Sequence, residues 1–141
     1  NLLDQLSPKH DLGNALILRA EALRALCQFS DALPFYQRVV RENPHSMAGW
    51  LGFGWCLKRL GQLSEAIDVL ADGINYCDNE PALAYNLSCY HSLAGNVHAA
   101  IEYLTKAIAS DDRFRSLTSC ESDFDSIRND PRFVAVIEQP V

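Results

Sequence analysis

The sequence predicts an all-α fold made of three tandem 34-residue helix–turn–helix units closed by a C-terminal helical cap. Three observations lead there. Segments beginning at Gly13, Met47 and Pro81 align without a gap, so the chain repeats itself at a step of 34 residues. No window keeps a period-two alternation of apolar and polar residues, which argues against strands. Helix-capping and turn residues recur at matching places in the units.

The units read GNALILRAEALRALCQFSDALPFYQRVVRENPHS, MAGWLGFGWCLKRLGQLSEAIDVLADGINYCDNE and PALAYNLSCYHSLAGNVHAAIEYLTKAIASDDRF. Shared columns hold Ala20, Gly54 and Ser88; Ala32, Ala66 and Ala100; Tyr36, Leu70 and Leu104; Val39, Gly73 and Ala107. Small residues return where helices must approach closely, and large apolar residues where the space between them must be filled. The expected helices span roughly 13–27, 30–42, 46–60, 64–76, 80–94 and 97–110. Ser30 opens the second of these as an N-cap, with Pro34 in its first turn, and Ser64 opens its counterpart. Gly61 and Gly95 end first helices in a left-handed residue. Residues 1–12 form a lead-in, in which LLDQL at 2–6 reads as the tail of a preceding helix.

The units thus cover 13–46, 47–80 and 81–114, and residues 115–141 form the cap within a single domain. Ser122-x-x-Asp125 and Asp130-Pro131 look like helix openings, giving short helices near 123–128 and 131–138. A stack of repeats leaves an apolar face bare at its end. Phe124, Ile127, Phe133 and Ile137 are the expected covering residues.

Composition narrows the function. A hydrophobic fraction of 48% and a charged fraction of 21% are those of a folded chain, not a disordered one. The net charge of −6 disfavours binding to nucleic-acid phosphates or anionic membranes. No apolar run is long enough to insert in a membrane, and the first residues lack the pattern of a signal peptide. The chain starts without Met, as a piece of a longer chain or a processed product would. Cys27, Cys56, Cys77, Cys89 and Cys120 are odd in number and lack CxxC spacing. They read as free thiols in a reducing, cytoplasmic setting.

The pattern Trp50-x-x-Phe53-Gly54-x-x-Leu57 with Ala66-x-x-x-Leu70, together with Ala32-x-x-x-Tyr36 and Pro44, resembles the tetratricopeptide repeat family. YNLSCYHSLAGNVHAAIEYLTKAI in the third unit is close to that family's average wording. The resemblance covers residues 13–114 and implies a right-handed α-solenoid whose first helices line a concave groove. The ending DFxxxRxDPRF resembles those of many bacterial repeat proteins of this kind. Some columns depart from the pattern: Arg19 stands with Phe53 and Leu87, His91 with Leu23 and Leu57, and Asp78 and Asp112 replace the closing proline.

Trp50 falls in the family's packing column and is expected to be structural. Trp55 falls in the groove-facing column, with Glu21 and Cys89. The resemblance places Ile17, Leu18, Leu51, Tyr85 and Asn86 on the same stripe. Trp55 is either a partner anchor or a residue packed on its own flanking helices. Arg24, Lys58 and Arg59 either suit helix C-termini or receive an acidic stretch or a C-terminal carboxylate. Relatives that clamp acidic tails use columns held here by Ile17, Glu21, Gly52, Ala82 and Asn86, of which only Asn86 would serve.

No catalytic, cofactor or metal site is expected. The glycines at 49, 52 and 54 have the wrong spacing for a phosphate cradle. His10, His45, His91 and His98 lack ligand spacing. No cysteine is singled out beside a base. The expected function is a non-catalytic scaffold that holds a peptide segment or helix of another protein in its groove. Alternatives are a dedicated chaperone or assembly factor of a bacterial secretion or pilus system, and a regulatory region of a larger enzyme. Self-association through the exposed repeat ends is a further possibility.

Overall fold

The computed structural model describes residues 8–139, with side chains described from residue 13. The expected helix tail at 2–6 lies outside them. The described chain is helical throughout, without strands. It runs α1 (Pro8–Ala25), α2 (Phe29–Glu42), α3 (Met47–Arg59), α4 (Leu63–Tyr76), α5 (Pro81–Leu93), α6 (Val97–Ser110) and α7 (Arg113–Leu117). Two 3₁₀ turns (Thr118–Cys120 and Ser122–Ile127) and α8 (Pro131–Glu138) complete it. None of these helices is long and apolar enough to cross a membrane. The chain divides into two compact units, residues 1–69 and 70–141.

The 34-residue step is visible in the backbone. The second helix of each pair begins at Phe29, Leu63 and Val97, and α8 keeps the same step at Pro131. The cap is therefore a fourth unit whose second helix is on time and whose first helix is broken into α7 and the 3₁₀ turns. Three turns repeat one geometry. Cys27, Gly61 and Gly95 all have positive φ, at 60°, 80° and 82°. In each, the next amide bonds to the carbonyl five residues back: Gln28 to Leu23, Gln62 to Leu57 and Asn96 to His91, at 2.8–2.9 Å. Cys27 takes this conformation with a side chain attached, which costs it about 1 kcal/mol relative to glycine.

Several caps differ from expectation. α2 begins at Phe29 after Gln28, so Ser30 is not its cap, and Pro34 lies in the second turn. There it removes the amide that would reach the Ser30 carbonyl. The buried face of Ala32, Tyr36, Val39 and Val40 holds the helix together regardless. Ser64 is likewise the second residue of α4. Ser46 caps α3 by accepting from the Gly49 amide at 3.0 Å. Asp130 caps α8 through the Arg132 amide, as expected, with Pro131 at the first helical position. The Ser122 opening is not used: Glu121 caps that segment through the Asp123 amide, and the segment is 3₁₀ rather than α. After α4, where proline is absent, Asp78 and Asn79 supply two left-handed residues that stop the helix.

In the first unit, α2 packs against both α1 and α3. Ala20, Ala32, Tyr36 and Cys56 form its centre, with Ile17, Leu23, Phe29, Phe35 and Phe53 around them. Trp50 is buried to 7% exposure, lies parallel to Phe53 at 6.5 Å, and donates from Nε1 to the Pro44 carbonyl at 2.7 Å. Arg19 lays its guanidinium 5.6 Å over the Phe35 ring, which explains a cation in an apolar column.

In the second unit, α5 packs on α6 and on the Ser122–Ile127 turn, while α8 packs on α6. Ser88, in the close-approach column, donates to the Ala100 carbonyl at 2.6 Å. His91 lies flat on Tyr103 at 5.7 Å, and burial lowers its pKa from 6.5.

Candidate functional site

On the first unit, α1 contributes Ile17, Leu18, Glu21 and Arg24, and α3 contributes Leu51, Trp55, Lys58 and Arg59. Their centre is an aromatic pair. The Phe29 ring, from the first residue of α2, meets Trp55 edge-on at 5.1 Å and 71°. Two guanidiniums lie against the indole, Arg24 at 5.4 Å and Arg59 at 5.4 Å, and Arg59 also lies 5.2 Å over Phe29. Trp55 remains half-buried, Leu51 and Lys58 likewise, and Leu18 is 69% exposed.

Beneath the pair is a fixed polar network. The Tyr36 hydroxyl donates to Glu21 Oε1 at 2.8 Å, Arg24 Nε donates to the Tyr36 hydroxyl at 3.1 Å, and Arg24 also pairs with Glu21 Oε2. The hydrogen bond to Glu21 holds the Arg24 pKa above its ordinary value. Burial, then the bond to Glu21, pushes the Tyr36 phenol well up, so it stays a donor. Burial likewise raises the Cys56 thiol to about 11, leaving it a small apolar core group rather than a nucleophile. Gly52 makes room for this arrangement: a Cβ there would lie 2.1 Å from the Tyr36 ring.

On the second unit the same columns look different, and here two expectations are corrected. Tyr85 is not an open groove residue. It is 8% exposed, packed against Phe114 at 5.0 Å and Phe124 at 5.8 Å. Cys89 is 2% exposed. The broken first helix of the fourth unit folds onto α5 and fills that face with its own side chains. Burial raises the Tyr85 phenol far above its ordinary range. Ser92 donates to the Asp123 carbonyl at 2.7 Å. Arg128 holds the turn by donating to the Thr118 and Glu121 carbonyls, and Arg115 donates to the Val136 and Ile137 carbonyls at the end of α8. Asn86 stays half-buried and donates to the Ala82 carbonyl of its own helix at 2.8 Å. Phe124, Ile127 and Phe133 are buried as expected, and Ile137 is half-buried.

All five cysteines are free. Cys89, Glu121 and Asp123 bring potential ligand atoms within 4.8 Å of one another, but the carboxylates are partly exposed and Glu121 already caps the turn.

Comparison with known proteins fits this architecture. Models of the tetratricopeptide repeat match residues 23–87 and 81–113. The chain belongs to the tetratricopeptide repeat family. It is similar in structure to the type III secretion translocator chaperone SycD of Yersinia enterocolitica. That match has a TM-score of 0.70 and 21% identity, and covers 84% of this chain and 92% of that one. SycD in complex with a peptide of the translocator YopD also gives 0.70 and 21%, over 82% and 91%. PcrH in complex with the chaperone-binding region of PopB gives 0.66 and 18%, over 93% and 94%. At such identity the likeness is one of fold. A curated relative is the probable UDP-N-acetylglucosamine–peptide N-acetylglucosaminyltransferase SPINDLY of Arabidopsis thaliana. It is 25% identical over 117 residues, which are 82% of this chain but only 13% of that protein.

Phe29 and Tyr36 were not among the expected site residues, because both belong to the second helix of their unit. Phe114 was missed too. Its signal was present in α5: Cys89 and Ser92 are small where the first two units carry Glu21, Trp55, Arg24 and Lys58.

Proposed function

We propose that this tetratricopeptide repeat chain is a non-catalytic interaction module that holds a peptide segment of another protein against the α1–α3 face of its first unit. The Phe29–Trp55 pair carries this reading. It is a half-exposed aromatic pair braced by two guanidiniums and by the Tyr36–Glu21 network. A rigid aromatic that is already ordered binds at little entropic cost. The second unit's face is filled by its own chain, so the partner's main contacts fall on Ile17, Leu18, Leu51, Trp55 and Arg59. Tyr85 and Cys89 support the cap instead.

A dedicated chaperone is a specific form of the same function. It is favoured by the structural matches to SycD and PcrH, which run over most of both chains and include complexes with partner segments. The test is affinity capture with purified wild type and Trp55→Ala, followed by reconstitution with the identified partner. Binding lost in Trp55→Ala, with unchanged circular dichroism, supports the reading. Equal binding by both proteins refutes the assignment of the face.

A further inference from the structure

We infer that the segment seated on the first unit's face carries an Asp or Glu side chain that docks on Arg59, beside the Trp55 ring. This rests on the peptide-binding reading and adds the chemistry of the occupant.

The two arginines that contact Trp55 are not equivalent. Arg24 has its charge met within the unit, by Glu21 and the Tyr36 hydroxyl. Arg59 is exposed at the last residue of α3, and its contacts are the faces of Trp55 and Phe29. Among the described residues no carboxylate lies within ion-pair distance of it, although the chain holds 18 acidic residues against 12 Lys and Arg. Several other cations are paired with acids: Arg38 with Glu42, Lys106 with Glu102, Arg113 with Asp111, Arg115 with Asp112, Arg128 with Asp125 and Arg132 with Asp130.

Arg59 is held over the rings by cation–π contact, which uses none of its N–H groups as hydrogen-bond donors, and the guanidinium fork matches a carboxylate in bidentate fashion. The rings also restrain the arginine and remove part of its water, so less entropy is lost when the pair forms. The position at the C-terminal end of α3 suits a cation through the helix dipole alone, but the dipole does not require contact with two rings. Glu21, on the Arg24 side, repels a second negative charge. The site therefore fits one side-chain carboxylate with an apolar neighbour on the indole, rather than an acidic run.

The experiment is selection from a random peptide library displayed as an internal segment, so that no free C-terminal carboxylate is offered. Amidated synthetic copies of the recovered peptides are then measured against wild type, Arg59→Gln, Arg59→Lys and Trp55→Ala. The expected result is an Asp or Glu at fixed spacing from an aromatic or aliphatic residue. Affinity should fall about tenfold in Arg59→Gln, less in Arg59→Lys, and weaken with added salt. Replacing the peptide's acid by its amide should then cost nothing further in Arg59→Gln. Recovered peptides without an acid, or equal affinity for wild type and Arg59→Gln, overturn the inference while leaving the peptide-binding reading intact if Trp55→Ala still abolishes binding. Failure of the library to yield any peptide that distinguishes wild type from Trp55→Ala overturns both.

Discussion

In the first unit the columns at 21/55 and 24/58 carry Glu21, Trp55, Arg24 and Lys58, whereas in the second the corresponding residues are Cys89 and Ser92. Both faces descend from one 34-residue pattern, and their packing differs as their residues do. Large, charged and aromatic side chains in the first unit interact with one another and remain partly open to solvent. Small ones in the second let the chain's own C-terminal segment settle on α5, with Phe124 wholly buried and Asp123 bonded to Ser92. Side-chain size in one column thus separates a face left partly open from a face covered by the cap.

The largest break in this contrast comes from removing the cap's anchor. Phe124→Ala leaves a cavity between Tyr85 and Phe133 and should cost about 3–5 kcal/mol in urea denaturation. It should also make Cys89 accessible to thiol reagents. A cost below 1 kcal/mol would mean that the cap is not seated on α5.

The first unit is disturbed most economically at Gly52. A Cβ there collides with the Tyr36 ring, so Gly52→Ala should cost about 1–3 kcal/mol and pull the phenol from Glu21. Gly52→Ala with Tyr36→Leu should recover part of that loss, since a smaller side chain meets the new methyl. Unchanged stability in the single variant would show that Tyr36 does not lie on Gly52.

Turns offer a gain instead. Cys27 holds the left-handed position that glycine fills at 61 and 95, so Cys27→Gly should raise stability by about 1 kcal/mol, read from thermal unfolding. A decrease would show that Cys27 makes contacts worth more than its strain.

The smallest effect concerns His91, the one titratable residue in the column it shares with Leu23 and Leu57. Its folded pKa lies below 6.5 because burial disfavours the charged ring. The unfolded chain therefore binds the proton more readily. Stability is fully present above about pH 6.5 and declines as pH falls through that value towards the folded pKa. His91→Leu should flatten this decline in denaturation midpoints measured between pH 7.5 and 5.5. An unchanged slope would assign it to other groups.

The architecture was legible because packing repeats. Ala20, Ala32, Ala66 and Ala100 sit where helices touch, and a fixed spacing of such residues survives changes everywhere else. Gly61 and Gly95 announced their turns for the same reason: their conformation restricts the residue. Cys27 concealed the matching turn, because a left-handed cysteine has no signature in a sequence. The site was half legible. Trp55 was marked by its column, yet Phe29 supports it from another helix, and a contact between helices leaves no spacing of its own. Tyr85 was misread because its column says only which way the side chain points. What covers it is set 29 to 39 residues later, by Phe114 and Phe124, in a unit whose first helix is broken into α7 and 3₁₀ turns.

Thiol accessibility tests the central contrast most directly, since Trp55 and Cys89 occupy one column. In a Cys27→Ser, Cys120→Ser background, Cys89 should react with a thiol reagent only as fast as the protein opens. Adding Trp55→Cys should introduce one thiol that reacts on the order of a hundredfold faster in the native state. Equal protection of both positions would contradict an open first face, and equal reactivity would contradict a filled second one.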